Sequence, residues 1–222
     1  MTVLHLADDG EAADLAAFLS RLLHYDRSAA VRLQAAGTAL AVFGRPPSFE
    51  VLAIRAVRLA KPYEDGLDVT LDVTVSAGEL LESVDERAAT AAVPNPVTGP
   101  PWAGVLPPRS GWQAEPGLPA PHALRAMVAA AVGEFRSRTE ELAPDSRTRA
   151  ELDRIGRDIW SRTVGSTPLP VRAVHAAQAL GFLRPTDEAV LFSAGAWLRL
   201  RTPFGSIAVR RAGLGALNVS VR

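Results

Sequence analysis

Residues 49–55 read F-E-V-L-A-I-R and residues 204–210 read F-G-S-I-A-V-R. The surroundings of the two phrases echo one another as well. Ala30-Val31 leads to Gly37, Leu40 and Val42, and Ala189-Val190 leads to Gly195, Leu198 and Leu200. Proline precedes the phenylalanine in both (Pro46-Pro47; Pro203), and Gly66-Leu67-Asp68-Val69-Thr70 is echoed by Gly215-Ala216-Leu217-Asn218-Val219-Ser220. An apolar-periodic helix stands before each copy. Self-similarity of this kind limits the folds available before any single residue is weighed. Two copies with small gaps point to a duplication and not to a solenoid, although any two amphipathic hairpins with a turn glycine share part of such an echo. The predicted class is α+β, with two pseudo-repeated halves. Each half is a helix plus about four antiparallel strands, and the second carries extra helices. The halves run over residues 1–92 and 122–222 and form one compact unit, joined by a Pro/Trp-rich strap over 93–121.

Local signals fill in the frame. Asp8 and Glu11 have capping-box spacing ahead of a stripe of Leu15, Phe18, Leu19, Leu22 and Leu23. Gly37 supplies a turn between two short strands. Residues 51–59 are apolar on both faces apart from Arg55 and Arg58, which suits a central strand. Residues 67–75 alternate, placing Asp68 and Asp72 on a solvated face roughly 13 Å apart, too far to share one ion. Ser76 caps the next helix. The strap holds nine of the 17 prolines, with Trp102 and Trp112 as its anchors. Proline removes backbone donors and favours extended chain, while the two large rings argue for attachment to the protein. Pro121 opens a helix with a Leu124, Met127, Val128, Val132 and Phe135 stripe. A break at Ala143-Pro144-Asp145 caps the following helix, and Pro170 starts a short helix that Gly181 stops. Strands at 189–193, 197–201 and 206–211 follow, with a closing strand at 217–221.

The chain has no cysteine, which excludes disulfides, thiolate zinc sites and cysteine nucleophiles. No basic leader or long apolar run is present, so a cytoplasmic protein without a membrane span is expected. The net charge is zero but unevenly spread. Residues 147–222 hold 12 arginines against five acids, +7, and the remainder is therefore −7. Such asymmetry hints at an acidic or nucleic-acid partner, or at two halves that attract each other.

Reacting groups are not evident. His5, His24, His122 and His175 stand at no metal-ligand spacing, and His175 lies beside the apolar stripe of its helix. Gly213-Leu214-Gly215 precedes a strand, so it lacks the helix N-terminus of a dinucleotide loop. No cofactor or metal is assigned. The clearest local signal is the second hairpin. If Leu198, Leu200, Ile207 and Val209 face the core, then Trp197, Arg199, Arg201 and Arg210 share the other face. Ala39, Ala41, Phe43, Ala53 and Arg55 form the matching face of the first copy. Tryptophan and arginine dominate binding hot spots and also suit stacking on bases. The opposing possibility is that helices or strap cover this face, with the arginines paired to Glu79, Glu82 or Glu86. The expected function is a binding or adaptor protein with another protein as partner. The competing reading is a nucleic-acid binder whose basic C-terminal half is winged-helix-like; its recognition helix would have to be Pro185–Ala194, where Ala189-Val190-Leu191-Phe192 reads more like a strand.

Overall fold

The computed structural model describes residues 2–60, 71–186 and 188–211. Strand β1 (Val3–His5) leads into helix α1 (Asp9–Tyr25). The Asp8 carboxylate accepts the Glu11 amide at 2.8 Å, as the capping-box spacing predicts, and the stripe of α1 is buried at Leu15, Phe18, Leu19 and Leu22 and half-buried at Leu23. Strands β2 (Ala30–Ala36), β3 (Ala39–Gly44) and β4 (Leu52–Arg58) follow, then β5 (Asp72–Ser76). Ser76 caps helix α2 (Ala77–Glu82), and β6 (Val84–Asp85) and β7 (Thr90–Ala92) close the first part. Beyond the proline-rich stretch, which contributes β8 (Gln113–Glu115), lie α3 (Pro121–Glu140), α4 (Arg149–Trp160) and α5 (Val171–Ala179). The described chain ends in β9 (Val190–Ala194), β10 (Trp197–Thr202) and β11 (Gly205–Arg210).

Among the described residues, eight strands form one antiparallel sheet in the order β5-β2-β3-β4-β11-β10-β9-β8, and β1-β7-β6 form a smaller one. Helices α1 and α5 pack on the same side of the large sheet. That side holds the main core, including Leu33, Leu40, Val42, Leu191, Leu198 and Leu200. The opposite side is called the outer face below. The central position of β4, between β3 and β11, agrees with its two-faced apolar sequence.

The two halves do repeat. Strands β2-β3-β4 and β9-β10-β11 have the same order and directions, arranged about a pseudo-two-fold through the paired residues Ile54 and Ser206. The register sets Gly37 on Gly195, both with positive φ, and Leu33 on Leu191, Leu40 on Leu198 and Val42 on Leu200. Past the hairpin it sets Ala53 on Gly205, Arg55 on Ile207 and Val57 on Val209. The phrase that first suggests duplication is therefore out of register. Ala53 faces the helices whereas Ala208 belongs to the outer cluster, so Ala53 and Arg55 leave the outer face assigned to them from sequence. The cause lies in the connections. Pro203 and Phe204 alone join β10 to β11, while residues 45–51, with a 3-10 turn at Pro47–Phe49, join β3 to β4. Alternation survives such an insertion, but an odd shift reverses every side chain.

Where the halves meet, the chain needs a residue without a Cβ. A Cβ on Gly205 would stand 2.6 Å from the Phe182 ring, which itself stacks on Phe18 of α1 at 5.5 Å. Two further expectations change, the cap of α4 and the recognition helix of the competing reading. Thr148, not the 143–145 break, caps α4, and Pro144–Ser146 form a separate 3-10 turn. The 185–194 segment contains β9 and no helix among its described residues, because Val190, Leu191 and Phe192 alternate between the two faces of a sheet. The recognition helix of a winged-helix reading is thus not formed there. Asp72 lies on the exposed face expected of it, where Arg32 binds its carboxylate at 2.7 and 2.9 Å. The 67–70 part of the alternating run, the Gly213-Leu214-Gly215 segment and the closing strand at 217–221 lie outside the described residues.

Candidate functional site

The strap runs over the outer face. Arg32 donates to the Ala103 carbonyl, and Trp102 and Leu106 pack on a small cluster of Phe43, Leu52, Ile54 and Ala208. Trp112 holds its indole N–H on the Pro108 carbonyl at 3.0 Å. Both tryptophans are half-buried anchors, which is why so proline-rich a stretch keeps one path.

Trp197, Arg199, Arg201 and Arg210 all project from the outer face, as the alternation predicts. Trp197 stands opposite Arg210 in the β10–β11 register, and the guanidinium lies 5.5 Å from the indole centre. Arg201 lies 5.1 Å over Phe192 of β9, and Arg199 lies 5.7 Å from Trp112 of the strap. Glu79, Glu82 and Glu86 pair with none of them among the described residues. These cations are held by ring faces, a geometry that leaves guanidinium N–H groups free to bond elsewhere. The strap covers part of the face. Arg199 is half-buried with an Nε that lacks a hydrogen-bond partner, and burial with the nearby Arg201 pulls its pKa below the ordinary value. Trp197 is half-buried against the outer cluster, while Arg201 and Arg210 are exposed.

The more specific geometry lies beside these residues and was not legible in the sequence. Three cavities of about 650, 390 and 710 Å³ open along the 45–52 connection. The middle one lies between Trp102 and Trp197, with Arg45, Arg172 and Arg210 on its rim. It shares Arg45 and Trp102 with the first cavity and Glu50 and Arg172 with the third. Glu50 has φ 52°, a left-handed conformation that costs a non-glycine residue roughly 1–3 kcal/mol and recurs at binding sites. At the other end of the pseudo-two-fold, the short Pro203-Phe204 turn meets α1 and leaves only about 40 Å³. The insertion is what opens the trough. The unequal spacing of two similar hairpins was the one sequence signal that could have exposed it.

Phe49 fixes the connection in place. It is buried between Tyr25, at 5.3 Å, and His175, at 5.0 Å, and His175 stacks on Trp160 at 4.7 Å. Burial among these rings pushes the His175 imidazole below its usual pKa. The unfolded chain takes up a proton near pH 6.5, roughly the ordinary histidine value, and the folded chain does so only at lower pH. The resulting stability is present above about pH 6.5 and is lost as pH falls below it. The urea midpoint is expected to drop between about pH 7 and pH 5.5, with that drop missing in His175→Phe. Asp72 and Glu134 are held below the usual carboxylate range by Arg32 and Arg162, so they act only in a more acidic window. An identical pH slope in His175→Phe would assign the effect to another group.

The fold defines an α+β protein of two pseudo-repeated halves with a trough at one end of their shared sheet. Residues 1–104 match the model of a domain of unknown function, DUF8010, and residues 107–214 match that of a second, DUF8185. The boundary between the two falls within the strap, just after the Trp102 turn. No curated protein matches the chain in sequence. Among solved structures, a DNA polymerase sliding clamp from Pseudomonas aeruginosa is similar at 13% identity and a TM-score of 0.48. The match covers 90% of this chain and 62% of the clamp chain. Among the described residues, no helix is long and apolar enough to cross a membrane.

Proposed function

We propose that the protein is a non-catalytic binding or adaptor protein that docks another protein on the outer face around Trp197, Arg199, Arg201 and Arg210. The observation that carries this reading is the concavity between Trp197 and Trp102. It is an apolar pocket lined by two tryptophans and three arginines, and the Arg210 guanidinium lies over the Trp197 ring. An apolar centre with a polar edge is the usual anatomy of a protein-binding patch. The proline-rich 93–121 segment then serves as a wall of the site as well as a connection between the 1–92 and 122–222 halves.

A nucleic-acid partner has less support, because part of the basic surface outside the hairpin is already paired with carboxylates. Arg154 pairs with Glu151 at 2.5 Å and Arg149 with Asp153 at 3.7 Å, while Arg138 and Arg162 share Glu134 and Asp158. Arg147 donates to the Leu142 and Glu140 carbonyls. The test is capture of binding proteins by the wild type and by Trp197→Ala, Arg199→Ala and Arg201→Ala, each variant first shown to be folded. Loss of a captured protein in the variants is the expected result, and capture unchanged in all three would remove the site. Retention on generic DNA or RNA that falls steeply with salt would instead favour the competing class, because each neutralised phosphate releases counterions.

A further inference from the structure

We infer that the trough along residues 45–52 is a docking groove for an extended acidic peptide segment of a partner protein, which inserts one bulky apolar side chain between Trp102 and Trp197. This rests on the partner-binding reading above and names the occupant.

Symmetry supplies the first reason. The two hairpins are equivalent in strands, register and turn glycine, and differ at the connection that the first one lengthens. That added segment lines all three cavities, whereas the short connection at the other end leaves a space of about 40 Å³ partly filled by the ion pairs of Arg55. A connection of this kind, carrying a left-handed Glu50, fits a positioned binding loop.

Charge supplies the second. The floor of the central cavity is apolar, formed by Leu52, Ala208 and the two tryptophans, and Val105 at its mouth is 48% exposed. Three arginines and one glutamate stand at the rim. Arg45 has no acidic partner among the described residues, and Arg210 has only the Trp197 ring. The nearest carboxylate to Arg172 is Glu50, at 4.0 Å, and the Arg172 Nε has no hydrogen-bond partner. An occupant that satisfies this rim carries carboxylates on both sides of an apolar anchor. Shape supplies the third reason: three neighbouring cavities that share lining residues along one connection suit an extended chain better than a compact small molecule.

The experiment titrates the full chain into dye-labelled synthetic peptides of about ten residues and reads fluorescence anisotropy. The probe is an Asp/Glu peptide with one central Leu or Phe. Its comparators replace the apolar residue by Ser, or every acid by Lys, and a single-stranded DNA oligonucleotide serves as a further arm. The acidic apolar peptide is expected to bind, with each comparator weaker by about tenfold or more. Arg45→Glu and Arg210→Glu, both exposed positions that folding tolerates, are each expected to weaken it about tenfold. Arg87→Glu, an exposed site remote from the trough, is expected to leave it unchanged. The inference is overturned if no acidic peptide binds, if the Ser or Lys peptide binds as well, or if neither charge reversal matters. Should the Lys peptide or the oligonucleotide bind and be lost in Trp197→Ala, docking on this face stands and the acidic occupant falls. If nothing binds and Trp197→Ala captures the same proteins as wild type, both readings fall.

Discussion

Arg55→Ala is expected to lower the unfolding free energy by about 3 kcal/mol, the lower end of the roughly 3–5 kcal/mol lost when a buried ion pair is opened. Arg55 is 6% exposed and stands on the helix side of β4, at the seam between the halves. One guanidinium nitrogen donates to the Phe204 carbonyl at 2.7 Å, and another reaches Asp14 at 2.9 Å and Glu11 at 3.3 Å. The side chain thus ties α1 and β4 of the first half to the hairpin turn of the second. Truncation leaves the Phe204 carbonyl without that donor and a Glu11 carboxylate that is only 12% exposed. The loss stays at the low end because Arg58 still holds Glu11 at 2.8 Å and Asp14 is 40% exposed. Denaturant unfolding measures the loss, and the part due to Glu11 should change little with salt because Arg55 and Glu11 are both shielded from the solvent ions. A loss below about 0.5 kcal/mol would show that the seam does not depend on this residue. Arg55→Met combined with Glu11→Gln and Asp14→Asn should recover part of the loss, since no buried charge is left without a partner.

The second large effect separates core from site on a single strand. Leu198 is 1% exposed on the helix side of β10, and Leu198→Ala is expected to cost about 2–5 kcal/mol through lost burial and the cavity left behind. Trp197, its neighbour in sequence, points to the outer face and is half-buried on the Phe43, Leu52, Ile54 and Ala208 cluster. Its replacement by alanine should cost about 1–2 kcal/mol, well below the roughly 3–5 kcal/mol of a fully buried large aromatic. Arg201→Ala, at an exposed site, should stay within about 0.5 kcal/mol. Thermal or urea unfolding of the three variants gives the ranking. If Trp197→Ala destabilises as much as Leu198→Ala, the ring belongs to the core and the docking surface loses its central residue.

These expectations draw on two levels of information. Strand alternation is local, so the sequence alone placed Leu198 and Leu200 inward and Trp197, Arg199 and Arg201 outward. Caps are local too: Asp8 over α1 and Ser76 over α2 act within a few residues of themselves. Repetition of a helix and short strands determined the α+β class and the two-half plan, because each unit buries its apolar face only against a neighbour. What sequence could not decide was register between distant segments. The repeated phrase aligned on its Phe, Ala and Arg yet sat an odd number of positions out of line, and only the β4–β11 pairing shows that Ala53 and Ala208 face opposite ways. Arg55 read as one of two charges in an apolar strand, and its burial depends on Glu11 and Asp14 arriving from α1 and on Phe204 arriving from the far half. The trough is non-local in the same sense. Arg45, Trp102, Arg172 and Trp197 come from four separate stretches of chain, and the cavity they enclose exists only because residues 45–51 bridge a gap that the second hairpin closes with Pro203 and Phe204.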